Sequence, residues 1–282
     1  MTLVDLANAK GLSTGVVSTA RITHATPAAT YANSPERDWE SDANLPAEAV
    51  ANECKDIAYQ MVMRDKDNAL SVALGGGRRA FIPETVTDGE NKKGQRKDGL
   101  DLTKVWVDNL DNAAYVWNSA EFDAIDTGTT DHLLGLFNSS HMEYEADRAD
   151  DVGGEPSLTE MTAKSLEILQ KNDKGYLLIV ESGRIDHGHH AGNAKRALAD
   201  AVELSNAVKA AVENTNPEET LILVTADHSH VFTIAGYPKR GNPILGLVHG
   251  VDGNLSTASM VSHTPPWVTP MARAQLWGTV TT

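Results

Sequence analysis

Two apolar runs in this chain each end in a burst of carboxylates and imidazoles. The first closes as Val180-Glu-Ser-Gly-Arg-Ile-Asp-His-Gly-His-His190 and the second as Thr225-Ala-Asp-His-Ser-His230. A short apolar run bounded by turn residues reads as a buried strand, and open α/β sheets collect their ligands beyond the carboxyl ends of strands. Two such ends delivering acid and imidazole constrain fold and chemistry together. They require a sheet whose strand ends converge, and they point to a centre for zinc-like ions and metal-assisted phosphoryl chemistry.

The remaining pattern supplies that sheet. Gly15-Val-Val-Ser-Thr19, residues 69–74, 176–180 and 220–224 read as short buried strands. Between them lie helical patterns. Residues 47–64 carry Ile57, Ala58, Met61 and Val62 on one side, and residues 194–212 put Leu198, Ala201, Val202 and Val208 on an inner face. Ser157-Leu-Thr-Glu160 is a capping box that opens a helix to about Lys171. Residues 83–100 read as a polar surface loop, and Gly75-Gly-Gly77 as a turn with close backbone packing. Strands alternating with helices predict an α/β fold with a largely parallel central sheet flanked by helices.

Asp186 and His190 are four apart, which one helical turn can bring to a single ion. Asp227 and His228 are adjacent, so only irregular backbone after a strand aims both at one metal. Glu181 is an oxygen donor suited to magnesium. Each pair alone should arise about once by chance in a chain of this size and composition, and their pairing at consecutive strand ends is what favours metal binding. His187, His189 and His230 read as groups that orient the ligands. The Arg21-Ile-Thr-His-Ala-Thr-Pro27 segment and Arg37 form a third cluster, and the planar fork of Arg37 suits a phosphate.

A net charge of −15 argues against a nucleic-acid partner, whose phosphates need clustered Lys and Arg. No apolar run approaches the ~20 residues of a bilayer span. The first residues carry no signal-peptide pattern. Cys54 is the sole cysteine, so no internal disulfide forms.

Taken in order, these clusters resemble the alkaline phosphatase family, from about residue 5 to 248. The motifs that carry the resemblance are Gly15-Val-Val-Ser-Thr19, His24-Ala-Thr-Pro27, Leu74-Gly-Gly-Gly-Arg78, Leu134-Gly-Leu-Phe137, Gly183-Arg-Ile-Asp-His-Gly-His-His190 and Thr225-Ala-Asp-His-Ser-His-Val-Phe232. The resemblance implies a phosphate monoester hydrolase working through a phosphoserine, with two zinc ions (Zn2+) and one magnesium ion (Mg2+). Asp186 and His190 would hold the first zinc, and Asp227 and His228 the second. Thr26 and Glu181 would serve magnesium with His24 beside them, His230 would lie near the first zinc, and Arg37 would clamp the phosphate. It further implies phosphate monoester substrates, export from the cell and a homodimer in the intact family member.

The chain departs from that pattern at both ends. The family's Asp-Ser-Ala nucleophile segment has no counterpart, and Cys54 matches a cysteine whose partner lies upstream. The fold is therefore expected to be incomplete, with residues 1–254 a partial catalytic domain. As written, the chain is expected to be inactive. The competing reading is a non-catalytic metal- or phosphate-binding remnant or an unstable partial product. Asn138 stands where many members have a calcium-binding acid, while Glu155 retains one ligand. Residues 255–282 leave the pattern and read as out-of-frame translation. Met260, Trp267 and Met271 have single codons ending in G, and each precedes Val or Ala, whose codons begin with G. Read from the last base of each codon, all three give Gly, where the family string GKPYTTLGYANGPGA has Gly.

Overall fold

The computed structural model describes residues 1–233 and 238–255. Its centre is β1 (Ser13–Arg21), buried along seven consecutive residues between two sheet neighbours and two helical layers. The helices before and after it are α1 (Leu3–Asn8) and α2 (Ala25–Tyr31). The strands that follow are β2 (Val72–Gly76), β3 (Ala113–Val116), β4 (His132–Leu136) and β5 (Tyr176–Glu181). They form one five-stranded sheet in the order β3-β4-β2-β1-β5, with every pairing parallel. Parallel strands need crossover connections, and the helical stretches between them provide these. The α/β sheet flanked by helices is the architecture that the alternating sequence pattern predicts.

Strand alternation divides the core in two. Val16, Ala73 and Leu134 face one layer, where they meet Tyr31 of α2, Ile57 and Met61 of α4 (Ile57–Val62), and Leu102 and Trp106 of α5 (Leu102–Asn109). Val17, Leu74 and Leu133 face the other, where they meet Phe122 of α6 (Ser119–Asp123), Met161 and Leu169 of α7 (Leu158–Leu169), and Ala207 of α9 (Ala194–Glu213). Successive strand residues point to opposite faces, so adjacent apolar residues bury on both sides. The capping box at Ser157 is present, with Ser157 Oγ accepting from Glu160 N–H and Glu160 Oε2 accepting from Ser157 N–H.

Several local expectations change. Residues 47–64 form two helices, α3 (Ala47–Ala51) and α4, because Glu53 adopts a left-handed φ of 58° and Asp56 caps a new start by accepting from Tyr59 N–H. The loop 83–100 is largely exposed, as expected, and it is pinned at one point: the fully buried Arg96 pairs with Asp56 at 3.0 Å and also with Asp98. A guanidinium leaves water only where carboxylates receive it.

The inner face of α9 runs through Ala197, Asp200 and Ala207, while Val202 is 62% exposed. Close approach sets that rotation. A Cβ on Gly188 of α8 (Arg184–His190) would lie 2.7 Å from Ala197 N, so only small residues fit the seam. β5 is half-buried throughout, not fully buried, because it ends the sheet with one edge unpaired among the described residues. Residues 220–224 form no strand, and Leu221 and Leu223 are 82% and 80% exposed. An apolar run becomes a strand only when a ladder receives it, and this one is not laid along β5. The off-family tail, apart from Leu255, lies outside the described residues.

Candidate functional site

The site gathers at the carboxyl ends of β1 and β5 and in the loop beyond β4. β5 ends at Glu181 and turns through Ser182-Gly183 into α8. Asp186 and His190 fall one turn apart on α8, so both face the same way. The Asp186 Oδ1–His190 Nε2 distance is 3.5 Å. The segment after residue 224 returns to the same carboxylate. His230 Nε2 donates to Asp186 Oδ1 at 2.5 Å, and His228 Nε2 lies 3.7 Å from that oxygen. Asp227 is far more exposed and stands 3.3 Å from His228.

Asp186, His190 and His230 offer ligand atoms within 4.8 Å of one another. Burial works to raise the Asp186 carboxyl. The hydrogen bond from His230 and the neighbouring His190 outweigh it and hold the group below the usual carboxylate range. His230, expected only beside the ligands, thus reaches the acid more closely than His190 or His228. It is also stacked on His189, with ring centroids 4.8 Å apart.

A second group comprises His24, His141 and His187, also with ligand atoms within 4.8 Å. His187 follows Asp186 by one residue and therefore points off the Asp186 face of α8. His24 is the N-cap residue of α2, and its side chain makes no capping bond. His141 was not anticipated. It lies on irregular backbone past β4, held by Met142 N–H donating to Thr19 O. The one available signal was its place shortly after the carboxyl end of a strand.

All three rings are shifted toward the neutral form. Burial and then the Arg21 charge lower His141 to about 2. Burial and Arg184 lower His187 to about 4. Burial, Arg21 and Arg37 lower His24. Each ring meets a guanidinium: Arg37 Nη2 is 3.2 Å from His24 Nε2, Arg21 Nη1 is 2.6 Å from His141 Nε2, and Arg184 Nη1 is 3.2 Å from His187 Nδ1. Arginine only donates, so each ring faces a donor, and His141 faces two, with Arg21 N–H also 3.2 Å from its Nδ1; its one lone pair serves only one of them. The trio gathers three guanidinium groups around one region, and an ion there would compete with those contacts.

Arg21 is further paired with Glu40 at 2.7 Å, while Arg37 is exposed and free to meet an anion. Thr26 is exposed on α2, which lies beside β5. Glu181 Oε2 accepts from Ser18 Oγ at 2.5 Å. Glu155 receives the Asn138 amide at 2.9 Å and Glu143 N–H at 2.7 Å. Asn138, where a hard cation would want an acid, therefore supplies a donor.

The alkaline phosphatase family model matches residues 1–264. The tissue-nonspecific alkaline phosphatase of Gallus gallus is 49% identical over 246 residues, covering 84% of this chain and 47% of that protein. The human isozyme is 47% identical over 245 residues, covering 84% and 46%. Among solved structures, the alkaline phosphatase of Thermus thermophilus aligns with a TM-score of 0.57 and 32% identity, over 74% of this chain and 37% of that one. The chain thus spans about half the length of the relatives it matches. With an Asp–His centre at the strand ends and a family model matching nearly the full length, this chain belongs to the alkaline phosphatase family.

Proposed function

We propose that this chain carries the metal-binding and phosphate-clamping part of a phosphate monoester hydrolase. The observation behind this reading is the convergence of His190, His228 and His230 on the single carboxylate of Asp186 from two separate segments. One carboxylate and three imidazoles are a mixed oxygen–nitrogen donor set of the kind zinc takes. In this reading Asp186 and His190 hold one zinc, with His230 against them, and Asp227 and His228 hold a second. Glu181 and Thr26 offer oxygen to magnesium. Such ions, when bound, polarise a phosphoryl oxygen and ease the deprotonation of an attacking hydroxyl. Arg37 swings from His24 to the phosphate and orients it by its planar fork. The serine that becomes phosphorylated comes from outside these 282 residues. The intact protein acts outside the cytosol as a dimer.

Hydrolysis of p-nitrophenyl phosphate by the intact protein that contains this sequence tests the reading. Zinc-dependent turnover should fall to background in Asp186→Asn, and full activity in that variant would overturn it. The 282-residue chain alone should bind zinc without turning over substrate. No helix among the described residues is long and apolar enough to cross a membrane.

We further propose that residues 255–282 are translated out of frame, although the family match continues to residue 264. The coding DNA decides this. Starting at the last base of the Met260 codon, it should read as a family-like continuation, and any other reading sinks the idea.

A further inference from the structure

Ser18 and Glu181 are register partners on the parallel strands β1 and β5. Ser18 is fully buried. Its hydroxyl accepts from Ala20 N–H at 2.9 Å, which commits a lone pair. Its single proton therefore goes to Glu181 Oε2, at 2.5 Å. The opposite side is closed by backbone. A Cβ at Gly183 would stand 3.1 Å from Glu181 Oε2 and 2.9 Å from the Ala20 Cβ. The carboxylate is thus wedged between β1 and the turn into α8, with Oε2 engaged and Oε1 left without a protein partner among the described residues.

We propose that Ser18 is a positioning residue that makes Glu181 a one-oxygen ligand and so biases this site toward magnesium over calcium. The proposal rests on Glu181 being a magnesium ligand, as read above. Calcium tolerates flexible shells and takes carboxylates through both oxygens, whereas magnesium demands a compact octahedron and binds one oxygen of each carboxylate. A hydrogen bond to Oε2 takes one of that oxygen's two lone pairs, which disfavours the two-oxygen mode and leaves Oε1 as the open donor. Hydroxyls that hold metal-binding carboxylates in this way typically govern affinity by about 10–100-fold.

The test titrates magnesium and calcium separately into the intact protein, in native form and as Ser18→Ala, Ser18→Thr and Glu181→Gln, reading affinity by calorimetry after zinc loading. Ser18→Ala should weaken magnesium by about 10-fold or more and narrow its preference over calcium. Ser18→Thr, which keeps the hydroxyl, should restore both. Unchanged magnesium affinity and unchanged preference in Ser18→Ala, alongside a loss in Glu181→Gln, would overturn the positioning role alone. Unchanged magnesium affinity in Glu181→Gln would instead remove the ligand assignment beneath it. Thermal melts of each metal-free variant show whether a change reflects the fold, and native-like melting in Ser18→Thr keeps the comparison decisive if Ser18→Ala unfolds.

Discussion

Asp186 Oδ1 and His230 Nε2, 44 positions apart in the sequence, meet at 2.5 Å. The contact joins α8 to the segment beyond residue 224, which has no strand to hold it there. His230 is also the most covered of the imidazoles around Asp186, its side chain 17% exposed against 70% for His190 and 55% for His228. A group held in place by burial gives up less freedom when it steadies the Asp186 carboxylate for an ion. His230→Ala should therefore weaken zinc at least as much as His190→Ala, by about 10-fold or more. Competition with a chromophoric chelator measures this, and zinc affinity unchanged by His230→Ala would return that residue to a bystander role.

Arg37 is exposed and makes one side-chain contact to a ring, with His24 Nε2 at 3.2 Å. Hydrogen bonds to charged groups contribute about 1.5–3 kcal/mol. Arg37→Ala should weaken inorganic phosphate by about 10–100-fold in the zinc-loaded protein, and Arg37→Lys should recover only part of this, since an ammonium has no planar fork. Calorimetry with phosphate decides the point. Equal affinity in Arg37→Ala would remove the clamp.

What could be read from the sequence was whatever local chemistry determines. The capping box at Ser157 appeared as written, because both of its hydrogen bonds lie within one turn. The buried run in β1 appeared because apolar residues on both faces leave no alternative to a central strand. Asp186 and His190 meet because helical spacing brings them together.

The misses all depend on distant partners. Residues 220–224 have a strand's composition, but their pairing is settled by what lies along β5. The rotation of α9 follows from Gly188 admitting Ala197, which periodicity within α9 cannot reveal. His141 sits on irregular backbone, and only the crossing of that loop over β1 and β2 brings it to His24 and His187.

That crossing depends on Gly76. A Cβ there would stand 2.1 Å from Ser140 O and 3.1 Å from His141 C. Backbone cannot yield as a flexible side chain would. Gly76→Ala should therefore cost about 1–3 kcal/mol, as overpacking does, and should move His141 away from Arg21. Gly99→Ala is the control. Its φ of 77° imposes strain, but nothing lies within 4 Å, so its loss should be smaller. Urea unfolding midpoints compare the two, and equal losses would show that crowding by the His141 loop is not the cause.

Glu155 is 3% exposed, and burial raises its carboxyl to about 8 despite the hydrogen bonds from Asn138 and Glu143 N–H. In the unfolded chain the group ionises near its usual value of about 4.3. Between those two values the folded state holds the extra proton. Stability from this group is therefore fully present below the unfolded value and is lost as pH rises through the folded one. The slope can reach about 1.4 kcal/mol per pH unit across that window. The metal-free protein should unfold at progressively lower urea from about pH 5 to about pH 8. Glu155→Gln cannot ionise, so its curve should be flatter over the same range, even though an amide loses one of the two accepted hydrogen bonds. The readout is the slope rather than the absolute midpoint, and a native-like slope in Glu155→Gln would assign the pH dependence to other carboxylates.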